Sequence, residues 1–111
     1  MNKQYYEIYK LLKQLGFKSS NHGTKLLIKV IIEANKTNEE YKLVDIYSVI
    51  SESTKLTSNN IKKLIFYAIN SRNKALSKKN FEKIFGYEYD ENLFVCKELV
   101  EYIVEIINIA E

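Results

Sequence analysis

The sequence predicts an all-α fold: a single domain of about six helices spanning residues 1–111. Apolar residues recur three and four positions apart in successive segments, which is the spacing of amphipathic helices. The chain has no proline, no linker rich in glycine and serine, and no internal repeat. A length of 111 residues is enough for one hydrophobic core but not for two.

Three helices are predicted in the first half of the chain. Residues 3–15 form the first, with Gly16 at the position of a C-terminal cap. A loop containing His22 leads to the second helix, residues 24–34, with Thr24 as its N-cap. The third helix, residues 44–53, is followed by a turn at residues 54–57. The predicted core positions of these helices are Tyr5, Ile8, Tyr9, Leu12, Leu15, Leu27, Val30, Ile31, Ala34, Ile46, Val49 and Ile50.

Three more helices are predicted in the second half. The fourth begins with Thr57 or Ser58 as N-cap and continues to about residue 73. A short fifth helix covers residues 78–85 and stops at Gly86. Residues 87–93 are expected to be irregular or briefly extended, and residues 95–109 form the last helix. The apolar stripes of the fourth and last helices are Ile61, Leu64, Ile65, Ala68 and Ile69, and Leu99, Val100, Ile103, Val104 and Ile107.

Charge is distributed unevenly along the chain. Residues 55–79 carry seven positive side chains, including Arg72, and no acidic one. Residues 88–111 carry seven acidic side chains and one lysine. Such an asymmetry favours a polyanionic partner for the basic part, although an unevenly charged surface is also common in lysine-rich proteins.

The sequence does not predict catalytic, cofactor or metal chemistry. His22 is the only histidine and Cys96 the only cysteine, so neither a multi-cysteine metal site nor an internal disulfide is expected. The three glycines are too far apart for a phosphate-binding loop, and the acidic pairs Glu39–Glu40 and Asp90–Glu91 are expected to be solvated. We therefore expect a protein that is not an enzyme.

A cytoplasmic location is expected, without membrane association. No apolar run approaches the roughly 18 to 20 residues that span a bilayer, and the first ten residues lack the apolar core of a secretion signal. A single cysteine also suits a reducing compartment.

The third and fourth helices are interpreted as a helix-turn-helix, with a recognition helix at about residues 58–73. Lysines on such a helix neutralise phosphate or meet guanine acceptors, asparagine pairs with adenine, and an aromatic ring contacts a thymine methyl. The candidate DNA-contacting residues are Lys55, Ser58, Asn59, Asn60, Lys62, Lys63, Phe66 and Tyr67. The alternative is that this face is simply the solvated side of a packed helix.

Several ordered segments resemble one known family. They are LLKQLGF (residues 11–17), HGTKLL (22–27), IYSVIS (46–51), LTSNNIKKLIFYAI (56–69), FGY (85–87) and KELV (97–100). Their order and spacing resemble the C-terminal DNA-binding effector domain of the stage-zero sporulation response regulator A family of spore-forming Firmicutes. The resemblance covers nearly the whole chain and implies six helices, a helix-turn-helix, duplex DNA as partner and a role in sporulation.

The chain also departs from the family pattern. The family's recognition helix carries a Glu-Arg pair and an Arg-His pair, where this sequence has Lys62–Lys63 and Phe66–Tyr67. Phe66 cannot supply an arginine fork to guanine, so the family's target sequence is not expected to carry over. The family's phosphorylated receiver domain is not expected here, which suggests a stand-alone relative.

Two functions follow as hypotheses. The first is a DNA-binding transcriptional regulator that pairs as a homodimer on DNA, because one helix reads few bases. The second is a diverged helix-turn-helix module that binds a regulator or part of the transcription machinery through Phe66 and Tyr67 without binding DNA.

Overall fold

Six α-helices and one 3-10 turn make up the regular structure of the part of the chain that the structure describes. The computed structural model describes residues 3–37 and 40–110, and no β-strand occurs among them. The elements are α1 (Lys3–Gln14), α2 (His22–Lys36), α3 (Leu43–Thr54), α4 (Ser58–Asn70), α5 (Lys74–Phe85), the 3-10 turn Glu91–Leu93 and α6 (Cys96–Ala110). The predicted all-α class is confirmed. The predicted solvated residue Glu39 lies outside the described residues, and its neighbour Glu40 is exposed.

Helix α2 lies at the centre of the fold. It packs most extensively against α4 and also contacts α1, α3 and α6. Three of its side chains, Leu27, Val30 and Ile31, are completely shielded from solvent. Burial on several sides explains why α2 is apolar around much of its circumference, whereas the more peripheral helices have a single apolar stripe.

Gly23 allows the first turn of α2 to approach the backbone of α4. A Cβ atom at this position would overlap the carbonyl group of Leu64 and also crowd the Cβ of Ala68. Glycine therefore sets the distance between these two helices near their point of closest approach. The neighbouring Thr24 is buried within α2 and is not the N-cap.

Two asparagine residues shift three helix boundaries from their predicted positions, through two side-chain caps and one backbone hydrogen bond. Asn21, rather than Thr24, caps α2, and its Oδ1 accepts a hydrogen bond from the Gly23 amide at 2.8 Å. Asn73 lies outside α4 because its amide donates to the Gly16 carbonyl at 2.8 Å. Its side chain instead accepts from the Leu76 amide, so α5 begins at Lys74 and not at residue 78.

The other caps follow the predictions. Gly16 and Gly86 adopt positive φ angles of 95° and 84° after α1 and α5, a conformation that glycine adopts without steric cost. The prediction that Val49 is buried was wrong: α3 turns its side chain outward, and it is 49% exposed.

Arg72 is buried and not part of the basic surface, contrary to the sequence prediction. Its side chain donates to the Ile69 carbonyl and the Ser77 hydroxyl, both at 2.9 Å. It also donates to the Glu91 carboxylate at 2.7 Å, and its guanidinium lies 3.6 Å from the centre of the Phe94 ring. Glu91 is therefore paired and not simply solvated, and the segment after α5 is held against the end of α4.

Gly23→Ala should lower the free energy of unfolding by about 2 kcal/mol or more, because the new methyl group meets backbone that cannot rotate away. Urea unfolding of the variant and the wild type measures the difference. Gly86→Ala is the matched control, since open space surrounds that position and only the positive φ costs about 1 kcal/mol. Equal losses in the two variants would contradict close packing at Gly23.

Glu91 should make stability depend on pH in the acid range. Partial burial raises the pKa of this carboxyl, but hydrogen bonds from Arg72 and Tyr89 and the charges of Arg72 and Lys74 bring it below the ordinary value of 4.5. A folded pKa below the unfolded one stabilises the protein above the unfolded pKa, and this contribution is lost as pH falls through the folded pKa.

Unfolding between pH 6 and pH 3 should therefore show a steeper loss of stability for the wild type than for Glu91→Gln. The glutamine keeps the size of the side chain but does not titrate. Parallel curves for the two proteins would show that the pair with Arg72 contributes no pH-dependent stability.

Candidate nucleic-acid interface

A three-residue connection orients α4 relative to α3. Lys55 ends α3 in the left-handed conformation with a φ of 64°, which is unusual for a residue other than glycine. The Ser51 hydroxyl donates to the Leu56 carbonyl and fixes the chain after this bend. Thr57 then caps α4 by accepting a hydrogen bond from the Asn60 amide at 3.1 Å. The predicted turn and one of the two predicted N-cap residues are confirmed.

Helix α4 separates its apolar stripe from its polar side. Ile61, Ile65, Ala68 and Ile69 are buried, and Leu64 is half-buried where α2 crosses. Most of the residues predicted to contact DNA are exposed: Lys55, Asn59, Asn60, Lys62, Lys63, Phe66 and Tyr67, with Asn70 beside them. Ser58, also predicted to contact DNA, is half-buried at the start of the helix. The structure thus brings the predicted residues together along one side of α4 and the turn before it.

Two adjacent aromatic rings project from the middle of this side. Phe66 is 63% exposed and Tyr67 is 61% exposed. Their ring centres lie 6.1 Å apart in an edge-to-face arrangement. The two rings form a small exposed apolar patch within the polar side of α4.

The electrostatic character of the surface is positive. The first turn of α4 has no acidic residue, and the amide ends of that turn add partial positive charge. Lys55, Lys62 and Lys63 form no ion pair within the described residues. By contrast, Arg72 is neutralised by Glu91, and the Lys74 ammonium lies 3.9 Å from the same carboxylate. The basic surface therefore lacks Arg72 and keeps the exposed lysines of α4 and, on α5, Lys78 and Lys79.

A groove that the sequence did not predict runs beside this side of α4. It is lined in part by Tyr47, Lys62, Phe66 and Phe94 and has a volume of about 290 Å³. The Lys62 ammonium lies 5.6 Å from the centre of the Tyr47 ring. The residues come from three segments distant in sequence, so no local pattern could have revealed the groove.

Tyr47 and Cys96 both line the groove and contact each other. The Tyr47 hydroxyl donates to the Cys96 Sγ at 3.3 Å. Burial raises the pKa of Tyr47 above its ordinary range, and the neighbouring Cys96 raises it further. Burial also raises the pKa of Cys96, partly offset by the hydrogen bond from Tyr47. Both groups are therefore neutral at physiological pH.

Side chains that could ligate a metal ion are dispersed among the described residues. Those residues contain no group of three His, Cys, Asp or Glu side chains that could hold a metal ion. His22 is exposed at the first position of α2 and not in a loop as predicted.

Among the described residues, no helix combines the length and apolar character needed to cross a bilayer.

Comparison with known proteins gave no relative of this chain. No protein-family model, curated protein or solved structure matched it. The resemblance to the sporulation regulator family therefore stays a prediction from the quoted segments.

Replacing either exposed ring should leave stability nearly unchanged. Phe66→Ala and Tyr67→Ala should each alter the free energy of unfolding by about 1 kcal/mol or less, because alanine's helix propensity offsets the lost ring contact. Ile65→Ala, from the buried side of the same helix, should cost about 2 to 5 kcal/mol. Urea unfolding measures all three. A large loss for Phe66→Ala or Tyr67→Ala would assign that ring to the core and not to a binding surface.

Proposed function

We propose that this protein is a DNA-binding transcriptional regulator that reads duplex DNA with the exposed side of α4. The observation that carries the proposal is that this side combines lysines, asparagines and aromatic rings, all exposed, with no acidic residue. In this proposal α3 and α4 act as a helix-turn-helix, and α4 enters the major groove.

Each residue type has a role in such a complex. Lys62 and Lys63 neutralise phosphates or donate to guanine acceptors, and the Asn59 and Asn60 amides pair with adenine edges. The amide end of α4 binds a backbone phosphate with Ser58 and Lys55. Phe66 contacts a thymine methyl or a sugar. Because Phe66 and Tyr67 replace charged residues of the family pattern, the target site differs from that of the sporulation regulators.

The resemblance to the sporulation regulators supports the same function. Two of its segments, HGTKLL and LTSNNIKKLIFYAI, contain the residues at the α2–α4 contact, Gly23 and Leu64. We further propose that two copies pair on DNA, because one recognition helix contacts too few base pairs for useful specificity. A role in controlling sporulation genes in a Firmicutes-like cell rests on the resemblance alone.

Lys63→Ala should weaken duplex binding and make it less sensitive to salt. Loss of one phosphate contact lowers the slope of log K against log salt by about one. Fluorescence anisotropy with a labelled duplex between 50 and 200 mM salt, chosen as about the range over which such contacts are screened, measures both effects. Lys29→Ala is the matched control, because Lys29 is equally an exposed helical lysine but lies on α2.

Two results would overturn the proposal. The first is the absence of wild-type binding to any duplex at low salt. The second is equal weakening by Lys63→Ala and Lys29→Ala, which would indicate general attraction to a polyanion and not contact through α4.

The exposed Phe66–Tyr67 pair favours a second candidate function, a protein-interaction module that modulates a regulator or the transcription machinery. Aromatic rings are enriched where proteins bind one another. Partner binding that is unchanged in a Lys62→Ala/Lys63→Ala variant, together with no duplex affinity of the wild type, would select this function.

A further inference from the structure

The groove beside α4 is bounded by α3, α4 and the residues that lead into α6. Ile65, Ile69 and Phe94 lie along its apolar wall, and Val95, 50% exposed, lies on its rim. Its volume of about 290 Å³ is just below the range of ligand sites, which begins at about 300 Å³. The groove therefore suits a small molecule or one large side chain more than an extended peptide.

Two of the aromatic residues that line this groove, Phe94 and Tyr47, are fixed by contacts with other side chains. Phe94 is buried and stacked against the Arg72 guanidinium at 3.6 Å, and Arg72 is itself fixed by Glu91. Tyr47 is fixed by its hydrogen bond to Cys96. A site whose aromatic walls are already ordered loses little conformational entropy when a ligand enters.

Lys62 supplies the charge of the groove. The other lining residues are apolar or uncharged, since Tyr47 and Cys96 stay protonated at neutral pH. The Lys62 ammonium lies above the Tyr47 ring, so it reaches the edge of the apolar space. A ligand with an apolar part and one anionic group would complement the aromatic lining residues and the single cation of the groove.

We propose that the groove is a binding site for a small aromatic carboxylate. The aromatic part packs among Tyr47, Phe66 and Phe94, and the carboxylate pairs with the Lys62 ammonium at the rim. The ligand covers Phe66 and Lys62, which belong to the exposed side of α4. Bound ligand therefore competes with duplex DNA, a consequence that rests on the proposed function, whereas the binding site itself does not.

Indole-3-acetate is the probe, with its uncharged analogue indole-3-ethanol for comparison. In NMR titrations of the protein alone, indole-3-acetate should shift the methyl signals of Ile65, Ile69 and Val95 saturably, with a Kd of about 1 mM for a ligand of this size. The uncharged analogue should bind about threefold more weakly, or weaker still, without the pair to Lys62.

Val95→Glu tests the position of the site by placing a negative charge on the groove rim. It should abolish the saturable shifts, while Val44→Glu, at an equally exposed position of α3, should retain them. Both changes are at the surface, so both variants should fold. Absence of saturable shifts in the wild type, or equal binding by the two variants, would overturn the proposed site.

Duplex affinity with and without the probe tests the competition separately. At saturating indole-3-acetate the wild type should bind duplex at least about threefold more weakly, whereas Val95→Glu should not respond. If duplex affinity is unchanged at saturating indole-3-acetate, the proposed competition is wrong, but the proposed binding site is not affected. If the wild type binds no duplex, the proposed regulator function fails, and the titrations of the protein alone still decide the site.

Discussion

The contact between α2 and α4 is the constraint on which the rest of the structure depends. Helix α2 packs against α1, α3, α4 and α6, and Gly23 lets its first turn approach the Leu64 carbonyl. This approach turns the apolar side of α4 inward along its length. Because Ile61 and Ile65 are buried, the lysines, asparagines and aromatic rings on the opposite side of α4 face solvent. The candidate interface is thus a consequence of core packing.

A second set of contacts fixes the end of α4 and the groove beside it. Arg72 joins the last turn of α4 to Ser77 in α5 and to Glu91 and Phe94 before α6. A single guanidinium can do this because it donates in several directions within one plane while its face stacks on a ring. Burial of Arg72 therefore fixes the Phe94 ring that lines the groove. It also removes one cation from the basic surface.

The sequence predicted all six α-helices. Apolar periodicity indicated α1, α2, α3, α4 and α6, although α2 buries more of its circumference than a single stripe. Periodicity did not locate the start of α2, the end of α4 or the start of α5. Hydrogen bonds of the Asn21 and Asn73 side chains and of the Asn73 backbone amide set these boundaries. The candidate interface was also predictable, since it lies on one continuous helix. Burial of Arg72 and the groove beside α4 were not, because both depend on contacts between segments up to about fifty residues apart, such as Tyr47 with Cys96.

The central claim is that the exposed side of α4 contacts duplex DNA. Mapping amide chemical shifts of the protein, with and without a mixed-sequence duplex at low salt, tests it most directly. We predict that the largest changes fall at the start of α4 and the turn before it, from Lys55 through Lys63, with smaller changes at Phe66 and Tyr67. Changes confined to α1, α5 or α6, or no change at any duplex concentration, would contradict it.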